Sequence, residues 1–265
     1  MLTSSREAYR TLYRYDLKRA FRSPGTWVLA AAVIVFAIAS PLTAVYMPEL
    51  MASLTSSDVA AALTQQIGEP SWQDANGQWV KNLSQIITLI TIGVGAADMS
   101  NALSGGDIPF VLTRGISRRG FLASKASAAL VILVVCASAG GIVAWGVTRI
   151  EFDAGTLAST FGATLLWALE MALALAVGLL FGVFRPRVAT IALGAFATYL
   201  AVTLGGNWTA GAKYSPLGIG NLVGAVGSGN WPGASAAWII VTTVGLTIVL
   251  TTAAVAVFER RDLQV

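Results

Sequence analysis

The stretch Leu157–Phe184 reads LASTFGATLLWALEMALALAVGLLFGVF, and Glu170 is its single ionisable residue. A helix needs about 20 predominantly apolar residues to cross a hydrocarbon core roughly 30 Å thick, so this stretch reads as a membrane span. Five more of comparable length and character surround it: Thr26–Met47, Asn82–Met99, Ala126–Thr148, Val188–Gly206 and Ala234–Val257. The pattern predicts an all-α integral membrane protein of six transmembrane helices. The composition agrees, with 55% hydrophobic residues, 11% charged residues and 27 glycines in a chain of 265.

The basic residues are sorted between alternate connections. Arg6, Arg10, Arg14, Lys18, Arg19 and Arg22 precede the first span, and Arg114, Arg118, Arg119 and Lys125 lie between the second and third. Arg185 and Arg187 join the fourth to the fifth, and Arg260 and Arg261 follow the sixth. Only Lys81, Arg149 and Lys213 fall on the other connections. Lysine and arginine bias sets orientation, so both termini are expected in the cytoplasm and the chain in the inner (cytoplasmic) membrane as a multi-pass protein. The net charge of +4 is then a topology and lipid-anchoring signal, not one for nucleic acid.

Several chemistries are excluded. The chain has no histidine and one cysteine, Cys136 within the third span, which removes the usual nitrogen and thiolate metal sites and any intrachain disulfide. No G-x-x-x-x-G-K-[ST] loop is present, so no cofactor is expected in this chain and it does not hydrolyse ATP by itself. Catalytic residues are accordingly expected to be none.

Residues 1–25 read as a cytoplasmic amphipathic interfacial helix. Arg6, Arg10, Arg14, Lys18 and Arg22 recur every four residues, with Tyr9, Leu12, Tyr13, Leu17, Ala20 and Phe21 opposite them. The first 25 residues lack the short apolar core and small-residue cleavage site of a removed signal peptide. Residues 26–257 are expected to form the transmembrane domain and 258–265 a cytoplasmic tail.

Between the second and third spans, residues 100–125 hold Gly105-Gly106-Asp107-Ile108-Pro109-Phe110-Val111-Leu112-Thr113-Arg114-Gly115-Ile116-Ser117-Arg118-Arg119. Pro109 suits a first helical turn, Gly115 closes that element, and Ser117 caps the next. Phe110, Val111 and Leu112 are too apolar for an idle aqueous loop. With Phe121-Leu122 and Lys125, this segment resembles the coupling region of the six-span permease subunits of type-2 ABC exporters. The opening Asp16-Leu17-Lys18-Arg19 and Arg22-Ser23-Pro24 is similar to the same family, as is the ending Phe258-Glu259-Arg260-Arg261-Asp262-Leu263. The resemblance implies a permease driven by a separate cytosolic ABC ATPase in two copies, which binds ATP and magnesium. It also implies a second permease copy or a similar subunit. Asp107, Ile108, Phe110, Val111, Leu112, Arg114 and Arg118 are the residues it assigns to ATPase coupling. Where family members often carry a glutamate before this segment, the chain has Asp98 and Asp107.

Within the membrane, Glu170 is the least expected residue, because an ionised acid at mid-depth is costly unless paired or hydrated. Trp167, Ala174, Gly178 and Gly182 share its helix face, and the G-x-x-x-G of Gly178–Gly182 marks close helix packing. Glu170 and Trp167 are therefore candidates for packing or for lining a passage, and the packing role predicts a hydrogen bond from Glu170 to another helix. Asp98, at the end of the second span, is expected in a cap or surface pairing.

The outer loop 48–81 is expected to carry a helix over Val59–Ile67 and an interfacial anchor over Ser71–Trp79, with Trp72 and Trp79 at headgroup level. Residues 207–233 hold one charge, Lys213, among many apolar residues and glycines. Ser215-Pro216 can start a helix over Leu217–Val226, too short to cross, which predicts a short re-entrant element before the sixth helix.

The function expected on this reading is an ATP-driven exporter permease for a hydrophobic or amphipathic substrate such as a drug, lipid or peptide. The alternative is a proton-coupled secondary transporter using Glu170. A membrane sensor or assembly subunit is a third class, for which the chain shows no signalling domain.

Overall fold

The computed structural model describes residues 5–54, 69–104, 113 and 115–260, and all regular structure among them is helical. The long elements are α1 (Ser5–Phe21), α2 (Pro24–Leu54), α3 (Trp72–Ser104), α4 (Arg118–Phe152), α5 (Leu157–Phe184), α6 (Val188–Gly205), α7 (Ile219–Gly227) and α8 (Ala234–Arg260). A single turn, Thr209–Ala212, and a 3-10 turn, Pro216–Gly218, lead into α7. Six helices, α2 to α6 and α8, are long and apolar enough to cross a membrane, and the protein is an all-α membrane protein.

Local sequence sets the helix ends. Gly115 takes φ +79°, a left-handed conformation open to glycine, and Ser117 accepts the Gly120 N–H at 3.1 Å to cap α4. At the far end of α4, Asp153 at φ 49° and Gly155 at φ +93° reverse the chain. Thr156 then caps α5 by accepting the Ser159 N–H at 3.3 Å. Arg185-Pro186-Arg187 separates α5 from α6, because proline cannot continue a helix. Ser215 caps the turn that Pro216 opens, and α7 follows, as that sequence predicts.

The second span starts ten residues before the expected Asn82. Ser71 and Asp74 form a reciprocal capping box: the Ser71 hydroxyl accepts the Asp74 N–H, and the Asp74 carboxylate accepts the Ser71 N–H at 2.9 Å. The helix launched there runs through a π turn, Leu83–Ile87, to Ser104. Trp79 is accordingly no headgroup anchor. It is 1% exposed in the helix bundle, where its indole N–H has a partner. Val59–Ile67 lies outside the described residues.

α5 is the axis of the bundle. In its most apolar window 72% of residues are buried, against 22% in α6 and 17% in α8, so the other helices surround it and face outward. Glycines allow the close approaches. A Cβ on Gly178 would stand 2.8 Å from the Ile191 carbonyl oxygen of α6, and one on Gly182 2.7 Å from the Ile191 side chain. The G-x-x-x-G of α5 is thus the seat of α6. On α4, a Cβ at Gly140 would overlap Val33 of α2 at 2.2 Å.

Candidate functional site

α7 is too short to cross a membrane, yet Ile219, Leu222, Val223 and Val226 are all buried, inside a core shared with α5. Its backbone polar groups meet the bundle: the Gly227 carbonyl accepts the Asn76 amide of α3 at 3.0 Å. Asn76 in turn accepts the Thr160 hydroxyl of α5 at 2.8 Å. One turn further along, Trp79 Nε1 donates to Thr164 Oγ1 at 2.9 Å. Polar groups that lipid cannot satisfy are thereby closed between α3, α5 and α7.

The π turn of α3 is stitched to the same helix. Within it the Thr88 N–H reaches back to the Leu83 carbonyl, which also accepts the Thr88 hydroxyl at 2.9 Å. Trp167 Nε1 of α5 donates to Thr88 Oγ1 at 2.9 Å, and the Tyr199 hydroxyl of α6 donates to the Ser84 carbonyl. A π turn frees a carbonyl from regular helix bonding, and such turns recur at functional sites. Trp167 is fully buried and holds this turn.

Glu170 lies one turn beyond Trp167 on α5 and is 3% exposed. The hydrogen bond to another helix that packing predicts is not formed: no described hydrogen bond ends on its carboxyl. A Cβ on Gly220 would stand 3.9 Å from Glu170 Oε1, so the acid faces a bare stretch of α7. Tyr199 lies within its electrostatic reach. An acid in apolar surroundings, next to a backbone that has no side chain at Gly220, is suited to hold a proton or meet a polar guest.

A second constellation gathers at the basic end of the bundle. Of the residues assigned to coupling, Asp107, Ile108, Phe110, Val111, Leu112 and Arg114 lie outside the described residues, whereas Arg118 opens α4. Arg118 Nη1 lies 3.5 Å from the Glu259 carbonyl of α8, and the Arg119 guanidinium is paired with the Glu259 carboxylate. Phe121 and Phe258 stack beneath them with ring centroids 6.4 Å apart. The other side of α4 is fixed to α1, where Asp16 accepts the Ser124 hydroxyl at 2.5 Å and the Lys125 ammonium at 2.7 Å. The Asp16 side chain is 1% exposed. The buried face of α1 is therefore Leu12 and Asp16, while Tyr9 and Phe21 of its apolar side are exposed. Asp98 accepts the Ser23 hydroxyl at 3.5 Å.

Sequence reading picked out Glu170, Trp167 and Arg118 as site residues but not Asn76, Thr88 or Thr160, and gave Asp16 only as part of the opening Asp16-Leu17-Lys18-Arg19. For Asn76 a signal existed, since the S-x-x-D of Ser71–Asp74 starts a helix that carries it into the bundle. Thr88 and Thr160 give no such signal, because a threonine in an apolar helix usually bonds back to its own backbone. Among the described residues no group of three potential metal ligands occurs.

The family described as "Protein of unknown function (DUF2705)" matches residues 66–264, and the chain belongs to it. Comparison with curated proteins finds no match.

Proposed function

We propose that this chain is the permease subunit of an ATP-driven exporter in the cytoplasmic membrane, with both termini cytoplasmic and its energy supplied by a separate ABC ATPase. The family's description assigns no function, so the reading rests on the chain's own residues. The observation that carries it is the footing of α4. The apolar segment Ile108–Leu112 leads through Gly115 into α4, whose first turn is bound to α8 by Glu259 and Phe258 and whose second is bound to α1 by Asp16. A push delivered by two ATPase subunits to this segment would reach three helices at once. A second copy of the chain or a similar permease completes the transporter, and the sparsely buried α6 and α8 leave helix surface for it. The apolar, weakly charged interior suits a hydrophobic or amphipathic cargo such as a drug, lipid or peptide.

The test is capture of the tagged chain from its own membranes. An ATPase bearing G-x-x-x-x-G-K-[ST] should be recovered with it, and Phe110→Asp or Leu112→Asp should release that ATPase while the chain stays inserted. A carboxylate buried unpaired in an apolar contact loses several kcal/mol. Retention of the ATPase by both variants would remove the segment from the interface.

A second reading is favoured by one observation, the burial of Glu170 without a hydrogen-bond partner among the described residues. On that reading the chain is a proton-coupled transporter, and transport should follow a collapsed proton gradient even when ATP is held constant.

A further inference from the structure

A cavity of about 700 Å³ lies where α1 meets the adjoining ends of α2, α3 and α4. Its wall has two zones. Lys18, Arg19, Arg22 and Asn101 line one, and Lys18 and Arg22 are exposed. Leu29, Ile132, Leu133 and Leu175 line the other, each 8% exposed or less. Ile132 and Leu133 follow Lys125 along α4 by about 10–12 Å, so the apolar zone lies deeper in the membrane than the basic one. The charged groups do not cancel. Asp16 and Lys125 neutralise each other at 2.7 Å, and Asp98, the other acid on the wall, interacts with Arg19, leaving Lys18 and Arg22 in excess.

We propose that this cavity binds an anionic phospholipid of the surrounding leaflet, its phosphate on Lys18 and Arg22 and one acyl chain along Leu29, Ile132 and Leu133. A small soluble anion would leave the apolar zone in contact with water, and an uncharged apolar molecule would leave the basic rim unused. Ligand sites of about 300–1,000 Å³ enclose a drug-sized molecule, so the cavity takes a headgroup and part of a chain while the rest of the lipid stays in the bilayer. The site does not depend on the exporter reading and stands whatever the cargo.

The purified protein, supplied with equal amounts of phosphatidylglycerol and phosphatidylcholine of identical chains, is weighed intact with its retained lipid. One phosphatidylglycerol per chain should be kept in preference to phosphatidylcholine. Lys18→Gln with Arg22→Gln should reduce that preference about tenfold or more. Ala129→Phe, which projects a ring from the cavity wall, should reduce retention of both lipids. Arg149→Gln with Lys213→Gln, at the opposite end of the chain's charge pattern, should change nothing. The proposal fails if the wild-type protein shows no preference, if the Lys18 and Arg22 double variant keeps it, or if the Arg149 and Lys213 pair loses it equally. Displacement of the lipid by inorganic phosphate alone would also overturn it, since that would mark a headgroup-only anion site.

Discussion

Glu170 and Trp167, neighbours on one helix, are buried for different reasons. Trp167 contributes a fixed hydrogen bond to the π turn, and Trp167→Phe removes the N–H together with the pyrrole half of the indole. Interhelical hydrogen bonds in membranes are worth about 0.6 kcal/mol on average and up to about 1.7, and the void left by the smaller ring adds to this, so the variant should lose more than that in a detergent unfolding titration. An unchanged midpoint would show that the turn holds without it. Glu170 has the opposite character, because the residue is 3% exposed and no hydrogen bond among the described residues ends on its carboxyl. Glu170→Gln preserves volume and cannot ionise, and should leave expression and assembly intact. Glu170→Ala leaves a void against α7 and should weaken assembly by about 2 kcal/mol. Loss of transport in the glutamine variant, with assembly and ATPase activity normal, would move the protein to the proton-coupled class.

Among the elements, α1 has the least conventional attachment. An interfacial helix is expected to rest on its apolar face, yet this one is held by the buried carboxylate of Asp16 on Ser124 and Lys125. Removing one member of a buried pair strands the other charge, at about 3–5 kcal/mol. Lys125→Met strands the Asp16 carboxylate, 1% exposed, and should fall in that range; Asp16→Asn leaves Lys125, which keeps some solvent contact, and should be milder. Asp16→Leu combined with Lys125→Met should recover most of the loss. Hydrogen exchange across α1 checks this: faster exchange in the single variant than in the double is the expected order, and equal rates would deny the pair its role. Hydropathy and charge made the six spans, the Ser117 cap and the α7 turn legible, because each depends on residues adjacent in sequence. The polar ties did not show. Asn76 meets a carbonyl 151 residues away and Asp16 an ammonium 109 residues away, and neither spacing leaves a periodic trace. The early start of α3 was hidden because Gln73, Asn76, Gln78 and Lys81 lower its hydropathy below that of a span.

At the scale of the whole molecule, the basic residues predict which end faces the cytoplasm, and single cysteines in a Cys136→Ala background test it. Asn230→Cys, on an exposed turn, should react with a membrane-impermeant thiol reagent added outside intact cells, while Ser104→Cys, exposed at the opposite end, should react only after permeabilisation. The neighbouring Gly229 would not serve, because its φ of +86° and the Trp72 ring, 2.7 Å from where a Cβ would stand, would strain any side chain. The reverse labelling pattern would invert the topology and place the connection between α3 and α4 outside.

The tie from Asn76 to the Gly227 carbonyl also bears on the order in which the protein is made. The ribosome delivers α3 long before it delivers α7, so until then the amide of Asn76 has only the Ser159 hydroxyl of α5, at 3.4 Å, to accept it. Cellular proteases remove incompletely folded chains, and a chain ending at Asn207 should be cleared faster than the full-length protein. Asn76→Leu should lengthen the lifetime of the truncated chain and shorten that of the complete one, as pulse-chase labelling would reveal. The residue that closes the finished bundle is, on this account, the one that marks it as unfinished.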